Sequence, residues 1–401
     1  MGRTLVLCVT GSIAAYKAVE VARLWIKGGG KVATVMTRAA KEFVGAATFS
    51  GITGEPAHDD MWDASFPGER HIALADRADV VGIVPATADV LARLAQGRAD
   101  DLVTALALSA RCPIVAAPAM HPRMWEHPAT QRNVALLAEQ GRVGLVGPVI
   151  GQVASGDVGM GRMADPEAIA GALDAALAPK DLAGRHVLVT GGPTLEDLDP
   201  VRFLGNRSSG KMGFALAARA AARGARVTLV AGPVALATPY GVKRVDVRSA
   251  IDMRGAIWEA AGLELERVDA VVMAAAVADY RPGEVSATKI KKEGERAKID
   301  LVKNPDLLAE LGHARGKKRR PVLVGFAMET GEHDAIAALA RGKLESKAVD
   351  MVVANEARQA FGGDDNEVTF VTAQGAERSG RATKAAIADA ILDRVRAQLA
   401  T

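Results

Sequence analysis

Leu5-Val6-Leu7-Cys8-Val9-Thr10, followed by Gly11-Ser12, is the segment from which we infer the fold class. Its run of apolar side chains predicts a strand that is buried on both faces, as in a parallel sheet. The Gly-Ser pair then begins a helix that is predicted over 12–27 and ends at three glycines, 28–30. A buried strand that turns directly into a helix is the repeating unit of a doubly wound α/β sheet.

The same unit recurs through the first half of the chain. Short runs rich in Val, Ile and Leu predict further strands at 31–36, 78–84, 113–119 and 143–147. Helical patterns are found between and after them, at 86–96, in a segment that ends near Gln140, and at 166–178. We therefore predict a doubly wound domain over 1–180, with its ligands beyond the carboxyl ends of the strands.

The unit begins again at His186-Val187-Leu188-Val189-Thr190-Gly191-Gly192, after a polar segment at 179–185 that suits a domain junction. Further buried strands are predicted at 226–232, 269–276, 322–327 and 350–355. The alternating run 367–373 predicts an antiparallel edge, and a last helix is predicted over 383–399. We therefore predict a second doubly wound domain over 181–401, Rossmann-like with an antiparallel edge.

The composition is that of an ordinary globular protein. Apolar residues make up 49% of the 401 residues, which is enough to build large cores and excludes disorder as the main state. The 50 basic and 47 acidic residues give a net charge of +3, so nothing draws the whole chain to nucleic acid or to a membrane. Two cysteines cannot form a disulfide framework or a four-thiolate metal site. No apolar stretch approaches the roughly 18 residues of a membrane span, and we expect a cytoplasmic location.

Hydroxyl residues follow three strands of the first domain. Gly11 and Ser12 come after the first strand, Thr37 after the second, and Thr87 with Ala88 after the third. Hydroxyls and free N–H groups at helix starts suit a phosphate, but the same residues cap helices without any ligand. The residues alone leave both interpretations open.

The glycine fingerprint of dinucleotide-binding folds, G-x-G-x-x-G, is missing after the first strand. Residues 159–164, GMGRMA, resemble its shortened form. Because no apolar strand precedes them, we predict a turn there rather than an NAD site.

In the second domain, residues 206–213, NRSSGKMG, lead into an alanine-rich helix. Their small residues, hydroxyls and lysine suit an anion at a helix start, but Met212 stands where a Walker A loop has Ser or Thr. Several lysines follow at expected strand and loop ends, and Lys343 and Lys347 share one helical face. Such lysines form either a solvated surface or a cradle for a polyphosphate, and their spacing does not decide between the two.

Five motifs in the first half resemble those of the flavin-dependent cysteine decarboxylases. They are GSIAAYK (11–17), RHIALADRAD (70–79), PATAD (85–89), PAM (118–120) and ASGDVGMGRM (154–163). The resemblance implies a flavodoxin-like fold, bound FMN, a trimeric assembly and a catalytic His71. It also implies FMN contacts at Gly11, Ser12, Ile13, Thr37, Thr87 and Ala88.

Two positions depart from that family pattern. His121 stands where the family's PAMN motif has an asparagine that helps to hold the substrate carboxylate, and an imidazole can also donate to a carboxylate. Ser155 stands where a mobile flap carries a cysteine acid, and a thiol is a far better acid than a hydroxyl. We hypothesise that His121 helps to compensate for Ser155. The alternatives are an acid formed by a water held by Ser155 and Asp157, a domain that releases an oxidised enethiol, and a domain that is inactive.

The second half resembles the phosphopantothenate–cysteine ligases. The motifs, in the family's order, are NRSSGKMG, AAVADY (275–280), KIKK (289–292), KNPD (303–306) and GFAMET (325–330). By this resemblance Lys289 stabilises the reacting phosphate and Asn206 orients the acyl carbonyl. The nucleotide pocket maps onto Ala275, Asp279, Lys289, Lys303, Asn304, Pro305, Asp306, Phe326, Lys343 and Lys347. We expect Mg²⁺ to screen the triphosphate, and assign no residue to the metal.

A decarboxylase domain joined to a ligase domain resembles the bacterial bifunctional enzymes of coenzyme A biosynthesis, and the resemblance covers nearly the whole chain. It implies that CTP drives the ligation of cysteine to 4'-phosphopantothenate through an acyl-cytidylate. FMN-dependent decarboxylation then converts 4'-phosphopantothenoylcysteine to 4'-phosphopantetheine. A homo-oligomer is also implied, with trimeric flavin domains and dimeric ligase domains, for which a dodecamer is one arrangement.

Two other functions stay open at this point. One is a ligase whose flavin domain serves only as an assembly scaffold. The other is a pyridine-nucleotide oxidoreductase with two dinucleotide folds. That function requires a glycine fingerprint and an acidic residue on a ribose, and neither is evident in the sequence.

Overall fold

The computed structural model describes residues 2–63, 65–66, 68–291, 298–329, 333–356 and 365–400. The chain divides into two compact units, Met1–Ala178 and Pro179–Thr401. Within the described ranges, every helix is too short or too polar to span a bilayer.

The first unit is a five-stranded parallel sheet with helices on both faces. Its strands are β1 (Thr4–Val9), β2 (Lys31–Met36), β3 (Val80–Ala86), β4 (Ile114–Pro118) and β5 (Val143–Leu145). Its helices are α1 (Tyr16–Lys27), α2 (Ala46–Thr53), α3 (Arg70–Arg77), α4 (Ala88–Ala95), α5 (Leu102–Ser109), α6 (Pro122–Trp125), α7 (Pro128–Gln140) and α8 (Pro166–Leu177). The strand order β2-β1-β3-β4-β5 is that of flavodoxin, which confirms the predicted architecture.

The central strand shows why this sheet is covered on both faces. Along β1, Leu5, Leu7 and Val9 belong to a core shared with α1 and α8. Val6 and Cys8 belong to the core on the other face, with α3, α4 and α5. All five side chains are fully buried, which explains the unbroken apolar run that predicts the strand.

An antiparallel hairpin of β6 (Val149–Gln152) and β7 (Val158–Arg162) lies outside the main sheet. The turn predicted at 159–164 is therefore wrong, because most of that segment is strand. The glycines of β7 serve packing instead. A Cβ on Gly161 would lie 2.4 Å from the Met120 carbonyl oxygen, and one on Gly159 would lie 2.9 Å from Pro122. The glycine spacing thus reflects a close contact between two chain segments rather than a phosphate loop.

The second unit is built on an eight-stranded sheet. Its strands, including short ones outside that sheet, are β8 (His186–Gly191), β9 (Leu195–Asp197), β10 (Phe203–Gly205), β11 (Arg226–Ala231), β12 (Val242–Asp246), β13 (Ala270–Met273), β14 (Tyr280–Pro282), β15 (Leu301–Lys303), β16 (Val322–Glu329), β17 (Met351–Glu356), β18 (Asp365–Asn366), β19 (Val368–Thr372), β20 (Gly375–Arg378) and β21 (Ala382–Thr383). Its helices are α9 (Lys211–Ala222), α10 (Ala250–Ala261), α11 (Leu307–Arg315), α12 (His333–Ser346) and α13 (Lys384–Leu399).

The order of the large sheet is β12-β11-β8-β13-β16-β17-β19-β20. The first six strands are parallel and follow the Rossmann order, while β19 and β20 add an antiparallel edge. This confirms the predicted second domain type. Helices α9 and α13 pack on one face, and α10 and α11 pack on the other.

Short antiparallel pairs follow two of the central parallel strands. The β9–β10 hairpin comes after β8, and the β14–β15 pair comes after β13. A backbone bridge between Pro193 and Ala276 joins the starts of these two segments. Both hairpins therefore begin at the carboxyl edge of the sheet, where ligands of such folds bind.

Candidate active sites

Three hydroxyl residues stand at the carboxyl ends of adjacent strands in the first unit. Ser12, Thr37 and Thr87 each accept a backbone N–H from two or three residues further along, at 3.2 to 3.3 Å. The capping interpretation of these residues is thus correct. Because each oxygen is the acceptor in that bond, the hydroxyl proton remains able to donate to a ligand, so capping does not exclude phosphate binding.

Two cavities meet at this edge of the sheet. One, of about 510 Å³, is lined by residues that include Gly11, Ser12, Thr37, Thr87 and Ala88. The other, of about 660 Å³, shares Ser12, Ala119 and Met120 with the first and is also lined by Ile13, His121 and Ser155. The structure therefore brings together all the flavin-site residues predicted from the sequence except one. The volumes are those of small-molecule and cofactor sites.

The exception is His71, which is the second residue of α3 and lines neither cavity. The residue before it, Arg70, is only 6% exposed and donates to the Asp60 carbonyl and to the Asp63 carboxylate. These bonds fix the start of α3. The catalytic role of His71 stays a prediction.

His121 and Ser155, which line the larger cavity, are both hydrogen-bonded to Asp157. Nε2 of His121 lies 2.6 Å from Oδ2 of Asp157, and its Nδ1 accepts the Arg123 N–H at 3.2 Å. Because Nδ1 accepts, the ring proton is carried by Nε2 and is donated to Asp157. The Ser155 hydroxyl donates to the same carboxylate oxygen at 3.1 Å.

From the sequence, Asp157 is considered only as a residue that holds a water together with Ser155, and the structure makes it a direct partner of His121. The hydrogen bond from His121, followed by that from Ser155, holds the pKa of the Asp157 carboxyl below its usual range. Asp157 is therefore an anion that accepts hydrogen bonds from both His121 and Ser155 at one oxygen. Its pairing with His121 joins positions 36 residues apart, which no local pattern reveals.

Neither cysteine offers a replacement for the missing flap thiol. Cys8 is fully buried in β1, and burial raises the pKa of its thiol far above the usual range. Cys112 is half-buried just before β4, and burial raises the pKa of its thiol as well. Neither residue lines the two cavities.

In the second unit, glycines bring the start of α9 against the end of β8. A Cβ on Gly213 would lie 2.7 Å from both the Gly191 Cα and the Thr190 carbonyl oxygen. Gly210 is the N-cap residue of α9 and has a φ of +74°. Because glycine has no side chain, it cannot cap the first N–H groups of the helix. The first N–H groups of α9 thus lie at the carboxyl edge of the sheet, and helix starts of this kind suit anions.

Asn206 is anchored to the loop that follows β13. Its amide nitrogen donates to the carbonyl oxygens of Ala276 and Val277, at 3.4 and 3.0 Å. Both amide hydrogens are therefore used within the protein, and the amide oxygen is the group left to contact a ligand. To orient an acyl carbonyl, Asn206 would have to turn one of these amide hydrogens from its backbone partner to the ligand, and this role stays a prediction.

The loop after β13 is held by buried polar side chains. Thr190 accepts the Ala275 N–H at 3.1 Å, and Asn304, only 5% exposed, donates to the Ala278 carbonyl at 2.8 Å. The Asn304 N–H donates to the Asp279 carbonyl at 2.8 Å. Four predicted nucleotide residues, Ala275, Asp279, Lys303 and Asn304, thus lie close together, and the side chain of Asn304 serves to hold them in place.

The remaining predicted nucleotide residues follow other strands or lie on α12. Lys347 forms an ion pair with Asp306 at 3.2 Å, and Asp306 also caps α11. Pro305, Phe326 and Lys343 are half-buried, and Lys289 is exposed in the segment between β14 and β15. Lys292 of KIKK and Thr330 of GFAMET lie outside the described residues.

Comparison with known proteins adds family evidence to this geometry. A family model described as Flavoprotein matches residues 1–178, and one described as DNA/pantothenate metabolism flavoprotein C-terminal domain matches residues 182–399. The chain is 43% identical over 404 residues to the coenzyme A biosynthesis bifunctional protein CoaBC of Vibrio cholerae, with 99% of each chain covered. It is 44% identical over 408 residues to the protein of that name from Mycobacterium tuberculosis, covering 98% of this chain and 96% of the relative.

A solved structure is also similar to part of this chain. The C-terminal domain of a coenzyme A biosynthesis bifunctional protein CoaBC is 38% identical, covers 55% of this chain and 98% of its own, and has a TM-score of 0.46.

Proposed function

The chain belongs to the family of bifunctional coenzyme A biosynthesis proteins, and from this premise we propose which of its residues perform each of the two reactions. It is a phosphopantothenate–cysteine ligase and a phosphopantothenoylcysteine decarboxylase in one chain. The main support is that two family models, for a flavoprotein and for the C-terminal domain of a DNA/pantothenate metabolism flavoprotein, match consecutive halves of one chain. The relatives also align with the chain from end to end. The substrates are small molecules, and each half has a candidate site at the carboxyl edge of its sheet.

For the ligase we propose the sequence of steps that a stable carboxylate requires. The carboxylate of 4'-phosphopantothenate attacks the α-phosphorus of CTP, and pyrophosphate leaves. The amine of cysteine then attacks the acyl-cytidylate carbonyl, the amide bond forms, and CMP leaves with the bonding electron pair. The nucleotide is needed because a carboxylate oxygen is a poor leaving group until it is joined to phosphate.

Lys289 is the cation that we assign to the reacting phosphate. Negative charge builds up on the phosphate oxygens as pyrophosphate leaves, and a fixed ammonium stabilises that charge. Its exposure in the segment between β14 and β15 leaves the amine accessible to a nucleotide. We place the nucleotide along the loop after β13 and near Lys303, Asp306, Phe326, Lys343 and Lys347.

Asn206 serves the second step in this proposal. With both amide hydrogens donated to backbone carbonyls, its oxygen accepts a hydrogen bond from the attacking amine of cysteine. That bond orients the amine lone pair toward the acyl carbon.

We propose that Mg²⁺ enters with the nucleotide. Among the described residues, no three His, Cys, Asp or Glu side chains come together to hold a metal ion. The triphosphate oxygens are themselves good ligands for Mg²⁺, which keeps several of its waters. The choice of CTP over other nucleotides rests on the resemblance to bacterial relatives.

For the decarboxylase, the residues at the two cavities fit FMN. Ser12, Thr37 and Thr87 each keep a hydroxyl proton for the phosphate, and the adjoining cavities have room for both a flavin and a substrate. When bound, flavin supplies a reversible two-electron oxidation of the cysteinyl thiol, which makes loss of carbon dioxide possible. We place the FMN phosphate at the three hydroxyls and the substrate in the larger cavity.

His121 replaces two side chains of the family pattern in this proposal. When the substrate binds, the Nε2–H of His121 exchanges its bond with Asp157 for one with the substrate carboxylate, and the same proton is available to the substrate once carbon dioxide has left. Before the substrate binds, Asp157 holds this proton and tethers the Ser155 hydroxyl beside it. The hairpin of β6 and β7 closes the cavity over the substrate. We keep His71 as a predicted base or charge stabiliser.

The oxidoreductase alternative, which lacks a glycine fingerprint in the sequence, gains no support from the structure. Residues 158–162 form a strand whose glycines pack on Met120 and Pro122, so they do not form a loop around a dinucleotide phosphate. Absorbance of the purified protein tests this part of the proposal. We expect a flavin spectrum and a yellow colour, and a colourless protein that binds NADPH tightly would contradict it.

We propose a homo-oligomer in which flavin domains form trimers and ligase domains form dimers, and a cytoplasmic location. The two cysteines are free in the described chain, which is consistent with a reducing compartment. Mass measurement of the native protein tests the assembly.

A further inference from the structure

The segment that carries Lys289 is hydrogen-bonded to the turn between β9 and β10. The Ser286 N–H donates to the Leu198 carbonyl at 3.0 Å, at one end of the contact. At the other end both backbone polar groups of Ile290 are bound. Its N–H donates to Oδ2 of Asp199 at 3.1 Å, and its carbonyl accepts from the Arg202 guanidinium at 2.8 Å.

Asp199 is the centre of this contact. Its carboxylate is 1% exposed and accepts five hydrogen bonds among the described residues. Oδ1 accepts the N–H groups of Val201 and Arg202 at 2.8 and 2.9 Å. Oδ2 accepts two bonds from the Arg202 side chain, at 2.9 and 2.5 Å, and the bond from Ile290. The Arg202 guanidinium, more than any other group, holds the pKa of Asp199 well below its usual range.

Four of these five hydrogen bonds come from residues of the same turn. The fifth comes from Ile290, which follows Lys289 in the chain. Asp199 is therefore a buried, rigid anion whose single outward bond fixes the backbone beside a flexible lysine. A lysine has four rotatable side-chain bonds, so a defined position for its ammonium depends on a defined position for its Cα. Fixed placement of a charged group is what gives it catalytic value.

We propose that Asp199 is a positioning residue for Lys289 in the ligase reaction. The inference rests on the proposed function of Lys289 at the reacting phosphate. Asn206 follows the same hairpin but has its own anchors, the carbonyls of Ala276 and Val277. Loss of Asp199 should therefore disturb the step that uses Lys289 more than the step that uses Asn206.

The test is Asp199→Asn in the full-length protein. Asparagine keeps the size of the side chain, but a nitrogen at the Oδ2 position cannot accept the Ile290 N–H and repels Arg202. We expect the kcat for pyrophosphate release from 4'-phosphopantothenate and CTP to fall about 30- to 100-fold, the range of a displaced catalytic group. The KM for CTP, and cysteine-dependent turnover of separately prepared acyl-cytidylate, should stay within about threefold, since Asn206 keeps its anchors.

Asp197→Asn is the matched control. Asp197 lies in β9 of the same hairpin and accepts two bonds from Arg248, at 2.8 and 2.6 Å, but is not hydrogen-bonded to residues 286–290. This variant should release pyrophosphate within about twofold of wild type. Equal losses in the two variants would show a general effect of the hairpin and overturn the assignment.

A double variant separates positioning from structural damage. Lys289→Gln alone should slow pyrophosphate release on the order of 100-fold or more. If Asp199 acts through Lys289, adding Asp199→Asn should cause almost no further loss, whereas independent roles would multiply the two losses. A fully active Lys289→Gln would reject the proposed role of Lys289. A slow Lys289→Gln beside a normal Asp199→Asn would reject only the positioning role.

Arg202→Lys covers the case in which Asp199→Asn does not fold. Lysine keeps a positive charge beside Asp199 but cannot bond the carboxylate and the Ile290 carbonyl together through one planar group. We expect the same selective loss of pyrophosphate release, about tenfold. A loss confined to the cysteine-dependent step would contradict the proposal.

Discussion

At the residue scale, His121 and Ser155 are hydrogen-bonded to the same carboxylate oxygen. Both donate to Oδ2 of Asp157, so the two departures from the family pattern are in contact through a common partner. Because they share this partner, we treat the departures at positions 121 and 155 as one change. In the proposed reaction, His121 supplies the proton that the Ser155 hydroxyl, a far weaker acid than a thiol, does not.

Stopped-flow absorbance with 4'-phosphopantothenoylcysteine tests this coupling. We expect His121→Asn to slow flavin reoxidation about 100-fold, the usual contribution of a general acid, while flavin reduction changes far less. Adding Ser155→Cys should restore much of the loss, because a thiol is again present. His127→Asn is the control, since His127 caps α7 as His121 caps α6 and lines neither cavity. Unchanged reoxidation in His121→Asn, together with much faster reoxidation in Ser155→Cys, would refute compensation.

Asn206 makes a second prediction at this scale. In Asn206→Asp a carboxylate replaces the amide that donates to the carbonyls of Ala276 and Val277, and adds negative charge where the amine attacks. We expect pyrophosphate release to be partly retained and the cysteine-dependent step to slow about tenfold or more. Rapid-quench detection of acyl-cytidylate measures the two steps separately. Equal losses in both would show that Asn206 does not divide the reaction in this way.

At the element scale, the first strand of the second unit carries a buried titratable group. His186 begins β8 and is 8% exposed, with Nδ1 2.6 Å from the Arg267 carbonyl and Nε2 2.9 Å from the Thr228 hydroxyl. The Arg267 carbonyl makes Nδ1 a donor, the Thr228 hydroxyl can donate to Nε2, and the Arg226 guanidinium lies 3.0 Å from Nδ1, so these contacts suit the neutral ring. Burial, above all other causes, lowers the pKa of His186.

This arrangement predicts a pH dependence of stability with a definite sign. The unfolded chain takes up a proton at His186 near pH 6.5, whereas the folded chain does so only at lower pH. Below about pH 6.5 the unfolded state therefore binds more protons, and the free energy of unfolding falls until the folded pKa is reached. Thermal unfolding between pH 8 and 5 should show a smaller decrease for His186→Gln than for wild type. His58, whose pKa burial also lowers, is present in both proteins and cancels in the comparison. An identical decrease in both would contradict the prediction.

Elements with strong apolar runs could be predicted from the sequence, and others could not. The buried strands β1, β2, β8 and β11 coincide closely with their Val- and Leu-rich runs because both faces of these strands are covered. Helix α5 was not predicted, since six of its eight residues are buried and its sequence shows no amphipathic period. The β9–β10 and β14–β15 pairs have strands of three residues, which is too short for a pattern.

The candidate sites, too, could be predicted from the sequence only in part. Hydroxyls at strand ends could be predicted, because parallel strands place their carboxyl ends at one edge. The links from Asp157 to His121 and from Asp199 to Ile290 could not, because they join residues 36 and 91 positions apart. The role of the glycines in β7 was missed for the same reason, as their partners lie near Met120.

At the scale of the whole molecule, two doubly wound units carry two sites of different chemistry. One unit offers hydroxyls and a carboxylate-linked histidine around adjoining cavities. The other offers a helix start, a buried anion and lysines around the ends of its strands. The product of the ligase is the substrate of the decarboxylase, so one chain can complete two consecutive steps.

One product assay tests whether a single chain carries out both reactions. Full-length protein is supplied with 4'-phosphopantothenate, cysteine, CTP and Mg²⁺, and pyrophosphate, 4'-phosphopantothenoylcysteine, carbon dioxide and 4'-phosphopantetheine are measured together. We expect one carbon dioxide and one 4'-phosphopantetheine to follow each pyrophosphate, with the ligated compound appearing only transiently. Accumulation of 4'-phosphopantothenoylcysteine without carbon dioxide would contradict it and make the flavin domain an assembly scaffold.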